Sequence, residues 1–207
     1  MGRRVLAGVI GDDHPDVQGY MVIREALRHA ACALAVDVET HWLPTTALGG
    51  AIDRGLPFLG TCAGFQHAVI EYARSVLGLA HADRAETNPA AAPLVIAPLS
   101  YPLVERTAAV VLNPASRTAG IYRRTEVAER YRCRFGLNPE YVAPLHRGGL
   151  RVTGVDELGV PTVVECPEHP FFLATLFLPE HASRAGAPHP LVTAYLRAAA
   201  EAGGVRS

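Results

Sequence analysis

Pro57-Phe58-Leu59-Gly60-Thr61-Cys62-Ala63-Gly64-Phe65-Gln66-His67 is the stretch that decides the fold. A short apolar run meets small residues. From there Phe65, Val69, Tyr72, Ala73 and Val76 recur at helical spacing as far as Leu77, with Gly78 as the stop. The pattern predicts a strand, a sharp turn at Cys62 and a helix. Gly60 and Gly64 stand two residues to either side of the cysteine and leave room for the turn and for close approach of a ligand. A thiol at a helix start faces unpaired N–H groups and the positive end of the dipole, which lower its pKa and can hold an oxyanion. That placement fits acyl transfer through a thioester, or thiolate addition to another electrophilic carbon. The competing reading is a small buried hydrophobe.

Outward from this unit the chain alternates short strands with helices. Val5 to Ile10 reads as a buried strand ended by Gly11-Asp12-Asp13, followed by a helix from about Pro15 to Ala31 and a strand at Leu34 to Val38. Further strands are expected at Leu94–Ile96, Ala108–Leu112, Tyr131–Phe135, Leu150–Val155, Thr162–Glu165 and Leu173–Phe177, with a closing helix at Leu191–Ala200. The order predicts an α/β fold: three layers, a mostly parallel sheet flanked by helices, in one domain over residues 1–207.

Composition narrows the function classes. With 19 Lys and Arg against 20 Asp and Glu the net charge is -1, so no bulk electrostatic pull toward nucleic acid or an anionic membrane exists. No apolar run approaches a spanning length, and the N-terminus lacks an export-type signal. The four cysteines are widely spaced, which suits free thiols in the cytoplasm. Cys133 and Cys166 lack the surroundings of Cys62 and are expected to be inert. No metal-ligand spacing and no phosphate loop is present, so neither metal nor cofactor is expected.

Pro57 to Gly78 resembles the nucleophile elbow and helix of class I glutamine amidotransferase domains, and most of all the glutaminase domain of CTP synthase. Glu129-Arg130-Tyr131-Arg132-Cys133-Arg134-Phe135, the Asn138 region, Glu165-Cys166-Pro167-Glu168-His169-Pro170-Phe171-Phe172 and Pro179 to Pro190 extend the likeness in order. The resemblance implies a flavodoxin-like sheet and a cysteine that attacks the side-chain amide of glutamine, with a histidine carrying the proton and a glutamate orienting it. Cys62 matches the nucleophile and Ala63 supplies the backbone donor after it. The family's histidine-proline-glutamate stands here as Leu178-Pro179-Glu180. Leu178 cannot carry a proton, so ordinary glutaminase activity is in doubt while Glu180 is kept.

The resemblance also gives substrate contacts. Arg134 matches an arginine that holds the amino-acid end of glutamine, although a surface ion pair is the alternative. Gln66 matches a glutamine beside the substrate, Phe135 a wall of the pocket or a core aromatic, and Arg117 an anion contact or a solvated turn. His14, after the first strand, and His146, in a late loop, are the candidate substitute bases, because open α/β folds place ligands at the carboxyl end of the sheet. Before the elbow, roughly 25 residues that the resemblance implies are absent near residues 46–49, a strand among them, whose loss would open two strand edges. Either they are deleted or a segment is missing; the open edges favour the second.

The expectation is an atypical cysteine enzyme acting on a small amino-acid-like amide through Cys62. The alternatives are a non-catalytic binding or regulatory module, and a standalone glutaminase that lends ammonia to a separate synthetase. A homodimer is also compatible with the sequence.

Overall fold

The structure, a computed structural model, describes residues 3–10, 18–45, 48 and 54–203. Val5, Ala7 and Val9 alternate inward along strand β1 (Arg3–Ile10), the period-2 signature of a half-buried strand. Strand β1 pairs in parallel with β2 (Val36–Leu43), from Arg3 opposite Val36 to Ile10 opposite Leu43. Between them α1 (Gln18–Leu34) buries Ala26, Leu27, Ala30 and Ala31. The second strand therefore starts later than its composition suggests. Leu34 is still helical, and Ala35 ends the helix at a φ of 53° with its N–H on the Cys32 carbonyl.

The rest of the chain forms a seven-stranded sheet. Its strands are β3 (Phe58–Thr61), β4 (Asp83–Arg84), β5 (Leu94–Leu112), β6 (Glu126–Leu137), β7 (Arg151–Asp156), β8 (Pro161–Glu165) and β9 (Phe172–Thr175). The order is β3-β9-β8-β7-β5-β4, with β6 on β5. Parallel pairing joins β3 to β9 and β4 to β5, whereas β5·β6, β5·β7, β7·β8 and β8·β9 are antiparallel. Among the described residues no ladder joins β1 to β3, so β1 and β2 stand as a two-stranded sheet. The segment expected to be missing near residues 46–49 lies outside the described residues, apart from Leu48.

Three layers result. Helix α2 (Ala63–Ser75) lays Phe65, Ala68, Val69 and Tyr72 on one face, against Phe172 of β9 and Ile96 of β5. Helix α1 and α5 (Pro190–Gly203) cover β1 on the other, where Val192, Leu196 and Ala200 meet the α1 alanines. Short helices α3 (Arg117–Tyr122) and α4 (Val142–Arg147) lie on the connections. The three-layer α/β architecture expected from the sequence is present. Where two strands were expected, β5 is continuous. Register shifts at Pro98/Leu103 and Val104/Arg106 carry it past its prolines, with Glu105 at a φ of 50°. No described helix is long and apolar enough to cross a membrane.

Candidate active site

Cys62 sits between β3 and α2 at φ 50° and ψ -106°, a conformation that costs an L-residue about 1–3 kcal/mol. Neighbouring backbone holds it there. The Cys62 N–H donates to the Thr175 carbonyl at 2.9 Å, and its own carbonyl accepts from Phe65 and Gln66 at 3.1 and 3.3 Å. The glycine at position 60 is required by close approach: a Cβ there would lie 2.8 Å from the Gly64 carbonyl oxygen, a backbone atom that cannot swing away. Gly60→Ala is expected to lower stability by about 1–3 kcal/mol, the usual cost of overpacking. Thermal unfolding beside a Gly64→Ala control, whose Cβ would meet nothing within 4 Å, checks it. Equal melting points would show that the turn is not tight.

The half-buried sulfur of Cys62 has three neighbours on the described chain. The Cys133 sulfur lies 2.8 Å away and the Arg132 carbonyl oxygen 3.9 Å, while the Ala63 N–H points at it from the helix start. The Cys133 thiol donates to Cys62 and, with the Ala63 N–H, holds its pKa below the ordinary thiol value. Burial and the negative charges of Glu180 and Glu86 oppose that shift without cancelling it. Cys133 is pushed the other way, upward, first by its bond to Cys62 and then by burial. The two thiols thus titrate as a coupled pair in which ionisation is favoured on Cys62 over Cys133. Cys133, expected to be inert, is carried by the inward alternation of β6, 2% exposed, under the turn and against the Cys62 sulfur. Its partner lies 71 residues away, so only the sheet register could have revealed the contact.

Glu180 flanks the same turn. Thr61, the residue before the cysteine, donates to Glu180 Oε1 at 3.2 Å, whereas Oε2 is buried without a partner among the described residues. Burial is the first cause that pushes the Glu180 pKa up to about 7, and the Glu129 carboxylate adds to it. Leu178 is buried, with its N–H on the Arg130 carbonyl at 2.9 Å. The described partners of the Cys62 sulfur include no imidazole.

The other candidates divide. Gln66 is buried beneath the turn, where its Nε2 donates to the Phe135 carbonyl at 3.2 Å and its Oε1 accepts from Arg84 at 3.5 Å. Phe135 is half-buried and Arg134, next to Cys133 on β6, is exposed. Arg117 turns elsewhere: its backbone N–H donates to Glu165, its Nη2 donates to the His169 carbonyl, and its guanidinium lies 5.5 Å from the Phe171 ring centre. These contacts tie Arg117 to the 165–171 segment, where an anion contact or a solvated turn was expected. His146 is corrected. It is exposed on α4, which joins the chain at Gly148 beneath Tyr72 and Leu77, at the far end of α2 from Cys62. Thirteen helical residues at 1.5 Å each put about 20 Å between those ends. His14 lies outside the described residues. Among the described residues no group of three or more His, Cys, Asp or Glu is placed to hold a metal ion.

No family model matches the chain. The CTP synthase of Methanopyrus kandleri is 36% identical over 92% of this chain and 44% of its own length. The CTP synthase of Sulfurisphaera tokodaii is 33% identical over 96% and 45%. The chain therefore spans less than half the length of these curated relatives. The alignment to the first runs over 244 positions, more than the chain's 207 residues, so that relative carries segments this chain lacks. The glutaminase domain of Trypanosoma brucei CTPS, solved with bound acivicin, superposes with a TM-score of 0.87 at 24% identity, covering 95% of this chain and 94% of that one. A thiol at a strand-to-helix turn, the shared architecture and these identities converge: the chain is homologous to part of CTP synthase and has the fold of a CTP synthase glutaminase domain.

Proposed function

We propose that the chain is an atypical amidotransferase-like cysteine enzyme that attacks a small amino-acid-like amide through Cys62. One observation carries the reading: a half-exposed sulfur sits at a strained helix start, with the Ala63 N–H and the Cys133 thiol both directed at it. The Cys62 thiolate adds to the amide carbon, and the Ala63 N–H turns from the sulfur to the developing oxyanion. Ammonia leaves with a proton, and water then opens the thioester. Glu180, which titrates near neutral pH, is the proton-handling carboxyl beside the turn. Arg134 and the Gln66–Phe135 pair form the wall on which an amino-acid head group is held.

Acivicin, present in the trypanosomal glutaminase domain, is the probe. The expected result is one covalent adduct on Cys62 of the wild type and none on Cys62→Ser, read by intact mass and peptide mapping. Absence of an adduct on a folded chain whose Cys62 also resists iodoacetamide would remove the enzymatic reading.

Leu178 favours a second reading, a binding or regulatory module that retains the pocket without turnover. It predicts that glutamine raises the melting temperature equally in the wild type and in Cys62→Ser while no ammonia is released. When glutamine is the amide, a synthetase is the natural acceptor of its ammonia.

A further inference from the structure

We propose that Cys62 and Cys133 form a dithiol site that hydroperoxides oxidise to an internal disulfide, closing the thiol off reversibly. The two sulfurs stand 2.8 Å apart, and a disulfide needs about 2.05 Å, so closure asks for less than about 1 Å of sulfur movement. The two thiols differ in access. Cys62 is partly exposed at the turn, whereas Cys133 is 2% exposed behind it, its sulfur 3.2 Å from the Leu176 carbonyl oxygen. An oxidant therefore reaches Cys62 first, and the resolving thiol is already in place.

The chemistry balances in two steps. The Cys62 thiolate attacks one oxygen of the peroxide: an S–O bond forms, the O–O bond breaks and hydroxide (alkoxide from an organic peroxide) leaves, which oxidises the sulfur to a sulfenic acid. The Cys133 sulfur then attacks the Cys62 sulfur. The S–S bond forms, the S–O bond breaks, and the departing hydroxide takes the Cys133 proton away as water. Two thiols and one hydrogen peroxide yield one disulfide and two waters. A small thiol reductant reverses the reaction by exchange at the partly exposed Cys62 sulfur.

The same pairing protects the site. A sulfenic acid with no thiol behind it continues to irreversible acids, whereas one facing Cys133 is trapped at the reversible stage. That this trap acts as an off-switch rests on the reading of Cys62 as nucleophile; the disulfide itself rests on geometry alone.

The full chain is treated with hydrogen peroxide, alkylated and mapped without reduction. The expected product is a peptide joining Cys62 to Cys133, with iodoacetamide labelling of Cys62 lost on oxidation and restored by dithiothreitol. Cys32, exposed on α1, serves as an alkylation control. In Cys133→Ser the oxidation should stop at a Cys62 sulfenate that dimedone traps, with sulfinate accumulating afterwards. Thermal melts of Cys133→Ser and Cys133→Ala establish which variant is folded for the comparison. Sulfinate or mixed disulfide on wild-type Cys62, without the joined peptide, overturns the proposal. A joined peptide in a chain that acivicin does not label upholds the dithiol site and sinks the enzymatic reading instead.

Discussion

Leu178→His raises glutamine hydrolysis by about 10²–10⁴-fold over the parent chain, the range that a positioned acid–base group supplies. Three features place the new imidazole. The Thr61 hydroxyl ties Glu180 to the residue before Cys62, so the turn carrying Leu178 and Glu180 is held beside the thiol. The Leu178 backbone is fixed by its N–H on the Arg130 carbonyl. Glu180 Oε2 is buried and has no partner among the described residues, so it offers the acceptor that an imidazole N–H requires. The imidazole would give its proton to departing ammonia, a step for which the described residues place no imidazole among the partners of the thiol. Steady-state ammonia release from glutamine is the assay, with Cys62→Ser/Leu178→His as the control that should show no gain. A folded Leu178→His chain with unchanged ammonia release would show that this pocket does not present glutamine to Cys62.

The turn was legible because its signal is local. Small residues at fixed offsets from Cys62, between an apolar run and a helical repeat, are all found within Pro57 to Leu77. Glu180 was found only through likeness to a family motif, since nothing in its own neighbourhood announces a buried carboxyl. The Cys133 contact was hidden for a different reason. Period-2 alternation turns Tyr131 and Cys133 inward together, but which side chain lies under Cys62 depends on how β6 pairs with β5 through two register shifts. Arg117 is a further case. Its place in the sequence left an anion contact and a solvated turn both open, whereas the carboxylate that meets its backbone belongs to Glu165, 48 residues on. The continuity of β5 was concealed by Pro98 and Pro102, which locally read as breaks.

Glu180→Gln should stabilise the chain at alkaline pH far more than at acid pH. The carboxyl titrates near 4.5 when unfolded and at about 7 in the folded state, where burial first and the Glu129 charge after it disfavour ionisation. Between those values the folded chain binds more protons than the unfolded one. Stability on this account is therefore highest below pH 4.5 and is lost as pH rises through 7. At 7% exposure little solvent screening intervenes, and the full shift corresponds to about 3 kcal/mol at about 1.36 kcal/mol per unit. Glutamine keeps an acceptor for the Thr61 hydroxyl but never ionises, so the variant escapes the loss. The difference in unfolding free energy, variant minus wild type, should grow by about 3 kcal/mol between pH 4 and pH 8. In a chain of this size that widens the gap in melting temperature by about 6–12 °C. Taking the difference cancels the titration of the remaining carboxylates, which both chains share. A gap that stays constant across this range would mean that Glu180 ionises in the folded protein as easily as in water. The proton proposed to reside there at neutral pH would then have to be held elsewhere.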